Sequence, residues 1–361
     1  MKQIGLPLYF RYVAKHYLQN LIAVLFGLAF AFAAIDYFQS IQKLDIPGNQ
    51  RILYIYYMWQ EALGLLYPLS LLFALIMTKM AFVKHGAIGA MHAFGYTKKR
   101  LVIPFLAVAA LVYGVFLYLQ TTEFSYAKDK AEALRQKRLN AYNVNDLFFK
   151  YNDTFVYVKQ MNRVEKKLEG ITIFKVEGKK VLYTIHAPYA NFDGEVWHAQ
   201  NALLKTHIYE EGKLKRYTIE KHQEIQTLEG YKPKIMESLY EGRGLSLIDA
   251  YQAWKLMEAQ HLDSTKVRAS LYAKSIVPLF SLAMIIILFF KMPFHARMMR
   301  QGTIIAFSLG ATFLVWGLLF WLQRIGANGV VMPEIAMLLP VMLLWLYAIY
   351  IYMTDEKRIR T

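Results

Sequence analysis

Apolar stretches long enough to cross a bilayer lie at both ends of this chain, and a polar, turn-rich segment at 122–270 separates the third from the fourth. Such an order demands two environments for one polypeptide. With 56% hydrophobic residues the chain is too apolar for an ordinary soluble domain, yet 19% charged residues are too many for a chain lying wholly in hydrocarbon. The spacing predicts about six spans, at 21–37, 65–83, 101–121, 275–290, 303–322 and 335–352. Small residues at Ala29, Ala31 and Ala33 loosely fit a signal cleavage site, but the basic lead-in with Lys2, Arg11 and Lys15 is long for a signal peptide. Residues 52–63 are expected to form a separate interfacial helix, because Gln60 and Glu61 are costly at bilayer depth.

The formal net charge of +16 does not point to nucleic acid. No zinc-finger or RNP pattern is present, and the basic residues flank apolar spans. Lys84, Lys98, Lys99 and Arg100 fall between spans two and three; Lys291, Arg297 and Arg300 fall between spans four and five; Lys357, Arg358 and Arg360 close the chain. The positive-inside rule therefore places both termini in the cytoplasm and 122–270 on the opposite side. The connections holding Lys43, Arg51 and Arg324 are less basic and belong with the outer face. Cysteine is absent, which excludes disulfides, thiolate chemistry and cysteine-bound metals.

Residues 151–230 alternate with the period of half-buried strands, and Asn152-Asp153, Glu177-Gly178, Asp193-Gly194 and Glu211-Gly212 supply turns between them. An antiparallel sandwich or jelly roll is expected. Its histidines, His186, His198, His207 and His222, lack ligand spacing and read as solvated strand residues, and Trp197 reads as core. A helical connector at 123–139 should continue span three. A second, at 246–260, opens on a Ser246/Asp249 cap and carries an apolar stripe of Leu247, Ile248, Tyr251, Trp254 and Met257.

No P-loop, G-x-S-x-G or H-E-x-x-H pattern occurs, so catalysis and ATP binding through those motifs are excluded. Asp36, Lys79 and Glu123 fall near span ends, which disfavours ion-driven transport. The sharpest local signal is Lys84–Arg100, KHGAIGAMHAFGYTKKR: a short apolar helix, Gly95 as a stop, and a basic re-entry. It fits equally a plain connection and a helix that docks into a partner's groove.

These features together resemble the LptF/LptG permease family, the membrane pair of the ABC exporter for lipopolysaccharide. The likeness runs over nearly the whole chain. The Ala87–Gly95 stretch with Tyr96-Thr97 resembles the family's coupling helix; Phe155-Val156-Tyr157-Val158, Leu168 to Ile173, Ala187 and Trp197 resemble its jelly-roll signatures; Leu245-Ser246, Pro278-Leu279, the 326–333 loop and Leu339-Pro340 complete the series. The wording leans toward LptG.

The resemblance implies an α-helical membrane protein of six transmembrane helices with an all-β periplasmic jelly roll between spans three and four. Its parts would be 1–121, with the coupling helix at 84–97, then 122–270, then 271–361. It implies a non-catalytic permease subunit, without cofactor or bound metal, that pairs with its sister permease. Its expected partners are the ATPase LptB, LptC, the cargo lipopolysaccharide and, indirectly, the bridge protein LptA. Where the family's coupling helix usually opens with Glu, Ala87 stands here, so Ile88, Met91, His92 and Phe94 carry the expected docking, with Gly95 ending the helix. Lys43, Arg51 and Arg324 are the expected phosphate contacts at the outer rim, and Ala33 and Asp36 of span one are further lipid-side candidates. The alternative is a membrane-anchored periplasmic adaptor without transport activity.

Overall fold

The computed structural model describes residues 7–40, 47–135, 143–162, 165–178, 180–210, 213–236, 244–294 and 301–355. These fall into two compact units. One comprises residues up to 131 together with those from 265 onward, and the other comprises 132–264.

The first unit is helical. Its elements are α1 (Leu8–Ser40), α2 (Gly48–Lys84), α3 (Ala87–Ala93) and α4 (Lys98–Leu119), then a 3₁₀ turn (Glu123–Tyr126) and the first half of α5 (Ala127–Arg135), whose last four residues belong to the second unit. After the inserted unit come α7 (Thr265–Ser275), α8 (Phe280–Lys291), α9 (Gln301–Ala327), a π turn (Glu334–Leu338) and α10 (Leu339–Thr354). The six apolar spans are α1, α2, α4, α7 with α8, α9, and the π turn with α10. Two expectations are corrected. Residues 52–63 are no separate interfacial helix but the first half of α2, which runs unbroken through Pro68. There Gln60 donates to Phe124 O at 3.3 Å, a contact that satisfies the side chain without an interface. The connector after span three does not continue it: α4 ends at Leu119, and Thr122 caps a new turn by accepting from Phe124 N.

α2 is the central helix because its second half is buried on nearly every side, with an unbroken buried run from Leu69 to Leu72 and again at Ala74–Ile76. Against it α1 lays a seam of one residue per turn, Val13, Tyr17, Leu21, Leu25, Ala29 and Ala33. The polar groups trapped in that seam are paired. Tyr17 donates to Leu71 O (2.9 Å), Asn20 to Thr78 Oγ1 (2.7 Å), and Tyr54 to Asp36 Oδ2 (2.5 Å). Away from the seam, α1 exposes Ile22, Phe26, Phe30 and Phe38, while α9 exposes Phe307, Leu314 and Trp321. Such apolar faces suit hydrocarbon rather than water.

The second unit carries β1 (Asn143–Tyr151), β2 (Thr154–Asn162), β3 (Lys167–Glu177), β4 (Lys180–Phe192), β5 (Trp197–Glu210) and β6 (Lys213–Thr227), followed by α6 (Leu247–Ala259). All neighbours are antiparallel and in sequence order. A single meander thus produces the jelly-roll-like domain, by bending.

The bend has a definite line. Asp146, Lys159, Gly170, Pro188, Asn201 and Gln223 stand opposite one another across all six strands, and none of them is paired in the ladder. Asp146, Gly170 and Asn201 have positive φ there. Along this crease the buried face changes parity: the inward residues step by three, from Val158 to Met161, Leu168 to Ile171, Ala187 to Ala190 and Ala199 to Ala202. Both halves therefore face one core, which Trp197 and Tyr231 complete. Trp197 Nε1 donates to Tyr231 O at 2.7 Å, and Tyr231 donates in turn to Lys150 O at 3.0 Å, so the chain beyond β6 returns to β1.

The buried face of α6 also differs from the expected stripe. Ala250, Ala253 and Met257 are buried, while Ile248 and Tyr251 are exposed. Small residues allow the close approach, and of the aromatic pair Tyr251 is exposed and Trp254 half-buried. The Ser246 cap forms as expected, accepting from Asp249 N at 3.1 Å.

Gly170 is the crease position that tolerates least. Its φ is +63°, and an added Cβ would stand 3.0 Å from Lys159 Cβ. Gly170→Val should therefore destabilise the sheet unit by about 1–3 kcal/mol. Limited proteolysis of the full chain in detergent should show earlier cleavage within 143–227 and an unchanged helical unit.

Candidate functional site

α3 is seven residues long and is pinned at both ends by glycine. Gly86 precedes it with φ +71°, and Gly95 follows with φ +82°. Gly95 N donates to His92 O (2.9 Å) and Tyr96 N to Met91 O (3.1 Å), a Schellman ending that the left-handed glycine permits. Thr97 then caps α4.

The short helix divides the expected docking residues. Ile88 is 2% exposed and belongs to the core of the chain itself, with Ala87 and Met91 partly buried beside it. His92 Nδ1 donates to Tyr96 O at 2.8 Å, and its ring meets the Phe294 ring edge-on, centroids 5.7 Å apart. Phe94 is 83% exposed. Gly89, Ala90 and Ala93 are exposed too, giving a flat outer face.

Behind α3 stands Lys79 of α2, which the sequence placed near a span end and the fold encloses completely. Its Nζ donates to Phe289 O and to Met292 O, the latter at 2.8 Å, and lies 3.9 Å from the centre of the Phe294 ring. Lys98, the first residue of α4, lies over the same ring at 5.0 Å and pairs with Asp355 at 3.0 Å.

At the other end of the helices the described lipid-side candidates lie on α1, α2 and α9. Ala33 is enclosed in the α1 seam at 1% exposure. Asp36 accepts from Tyr54. Arg51 is half-buried on α2, and Arg324 is exposed on α9, its guanidinium 5.5 Å from the Phe320 ring of its own helix. Lys43 lies outside the described residues. A cluster that the sequence did not announce is present instead: Arg268 Nη1 pairs with Glu334 Oε1 at 2.5 Å, and Tyr272 donates to the same oxygen at 3.1 Å. Sixty-odd residues of separation hid it. Gly326 belongs to this corner, where an added Cβ would stand 3.0 Å from Ala336 Cβ.

The fold is a helical bundle with an inserted antiparallel sheet and a glycine-bounded helix between spans two and three. Residues 11–354 match the family described as the lipopolysaccharide export system permease LptF/LptG. The chain belongs to that family. No curated protein matches it at a comparable level. An LptF/LptG protein is a permease subunit of an ABC transporter rather than a catalytic enzyme, and the six apolar helices together with the family fit a multi-pass protein of the inner membrane. In this LptF/LptG chain no group of three or more His, Asp or Glu side chains among the described residues is placed to hold a metal ion.

The sheet unit has a cleft of about 220 Å³ between the β1–β2 turn and the end of β6, lined by Tyr151, Thr154, Ile173, Lys175, Ile185 and Ile225. Ligand pockets usually start near 300 Å³, so this cleft is too small for a built site. On the outer face His198 lies between two carboxylates. Its Nε2 is 2.8 Å from Asp193 Oδ2, and its Nδ1 contacts Glu224 Oε1. Ionised carboxylates only accept, so the two contacts favour the imidazolium form, in which both ring nitrogens donate.

Hydrogen bonds to Asp193 and then Glu224 raise the His198 pKa above its ordinary value. Asp193 is held well below the usual carboxylate range, first by the Glu195 backbone N–H and then by the His198 ring. The stabilisation by protonated His198 is therefore complete below pH ~6.5 and disappears as pH rises through the raised folded value. That of Asp193 is lost only as pH falls through its own depressed value. Thermal melting of the sheet unit within the full chain should show stability falling as pH rises above about 6.5. His198→Gln should flatten that limb of the profile.

Proposed function

We propose that this chain is one of the two permease subunits through which lipopolysaccharide leaves the inner membrane, with both termini and α3 in the cytoplasm and the sheet unit in the periplasm. The family match and the Lys/Arg asymmetry of the connections support this reading. A sister permease, the motor ATPase LptB and the anchor protein LptC complete the assembly, and the periplasmic bridge protein LptA receives the lipid. α1 and α9, whose outward faces are the apolar surfaces described above, form the sides of the lipid path. Arg51 and Arg324, with Lys43, meet the phosphates of an anionic head group at the outer rim, where a guanidinium grips two phosphate oxygens at once.

The observation that carries the motor reading is the exposed outer face of α3, small at Gly89, Ala90 and Ala93 and ending in Phe94. An aromatic anchor beside small residues suits a helix laid against a groove. Ala87 leaves no carboxylate in this contact, so apolar burial holds it. Ile88 has another task, since it is packed within the chain.

Two experiments test this. Phe94→Asp places an unpaired carboxylate in the contact, costing about 3 kcal/mol, or roughly a hundredfold in affinity. Pull-down of LptB should be lost while the variant still inserts and migrates as a folded protein; undiminished motor binding would remove α3 from the interface. Reporter fusions at Gly178 and after Arg360 should report opposite compartments. A shared compartment would overturn the orientation.

A further inference from the structure

We propose that Lys79 and Phe294 form a joint that ties α3 to span four, with Lys79 the positioning residue that converts motor movement into lipid release. The proposal rests on the reading of α3 as the motor-facing helix.

The chemistry of Lys79 is the first reason. An enclosed ammonium is costly unless every donor finds a partner, and a Met of similar length would fill the same space without that cost. Lys79 has its partners at one place: the carbonyls of Phe289 and Met292, at the C-terminal end of α8, and the faces of Phe294 and, at 4.7 Å, Phe289. Helix-end carbonyls have no intrahelical donor, and inside a bundle no water reaches them. One side chain of α2 thus closes the end of α8 and fixes where span four stops.

The second reason is what else touches Phe294. α3 is bounded by α2, which carries Lys79 in its last turns, and by α4, which opens on Lys98. Both Nζ atoms lie over the Phe294 ring, at 3.9 Å and 5.0 Å, and His92 of α3 meets it edge-on. The ring is therefore held from α3 and from both of its flanking helices. Lys98 extends the hold to span six through Asp355. A displacement of α3 reaches α8 through this ring, and Lys79 prevents α8 from slipping relative to α2 as it moves.

The test uses the whole assembly in lipopolysaccharide-loaded proteoliposomes, with the sister permease, LptB and LptC, and reads motor retention, ATP hydrolysis and lipid released per ATP. Lys79→Met and Phe294→Leu should retain the motor and keep hydrolysis within about twofold, while lipid released per ATP falls at least tenfold. Phe294→Tyr preserves the ring face and should keep the ratio near that of the unaltered chain. An unchanged ratio in both Lys79→Met and Phe294→Leu overturns the joint. A parallel fall of motor retention, hydrolysis and release also overturns it, since that is the mark of a merely structural role. If Lys79→Met fails to insert, the contrast between Phe294→Leu and Phe294→Tyr decides by the same ratio. Failure of the unaltered chain to retain LptB is a distinct result and defeats the motor reading itself.

Discussion

In a bundle that lies in hydrocarbon, every backbone carbonyl at a helix end must find its donor inside the protein, and the end of α8 finds it in Lys79. That one side chain brings together α2, the most enclosed helix, and span four, the first span after the inserted sheet. The placement of Phe294 follows, and with it the resting positions of His92 and Lys98. The Tyr17, Asn20 and Tyr54 contacts apply the same rule between α1 and α2. Polar groups thereby set the axial register of helices whose apolar surfaces would allow them to slide, because dispersion contacts between such surfaces change little with a small shift.

The sheet unit solves a different problem. A meander has two open edges and one inner face, and a flat one would leave that face exposed. The crease through Gly170, Pro188 and Asn201 turns the sheet onto itself and lets both halves use one core around Trp197. The small residues on either side of the line, Ala187, Ala190, Ala199 and Ala202, permit the two halves to come close. Several of the positions that carry the family likeness, namely Leu168, Gly170, Ile171, Ala187 and Trp197, are crease or core residues. Within the sheet unit the likeness thus follows how the sheet bends.

α3 shows how a short helix can be both part of a core and an outward surface. Ile88 anchors it inward, His92 rests on Phe294, and Phe94 is left outside by the left-handed turn at Gly95. The left-handed glycine lets the chain turn and enter α4 three residues later.

The sequence by itself determined the number of spans, the position of the insert, its antiparallel strands, the Ser246 cap and the stop at Gly95. These depend on periodicity, on backbone preferences and on lengths measured along the chain, all of which are local. The tertiary structure decided what depends on distant partners. Residues 52–63 read as an interfacial helix because Gln60 and Glu61 are costly when alone, and Phe124, more than sixty positions on, supplies a partner for Gln60. Lys79 read as a span-end charge, although its carbonyl partners lie 210 and 213 residues away. The apolar residues of α6 formed a stripe on paper, yet close packing chose Ala250 and Ala253 over Ile248 and Tyr251. Ile88 and Phe94 are equally apolar in the sequence, and only the packing of α3 made one of them core and the other surface, because burial is a property of neighbours and not of residue type.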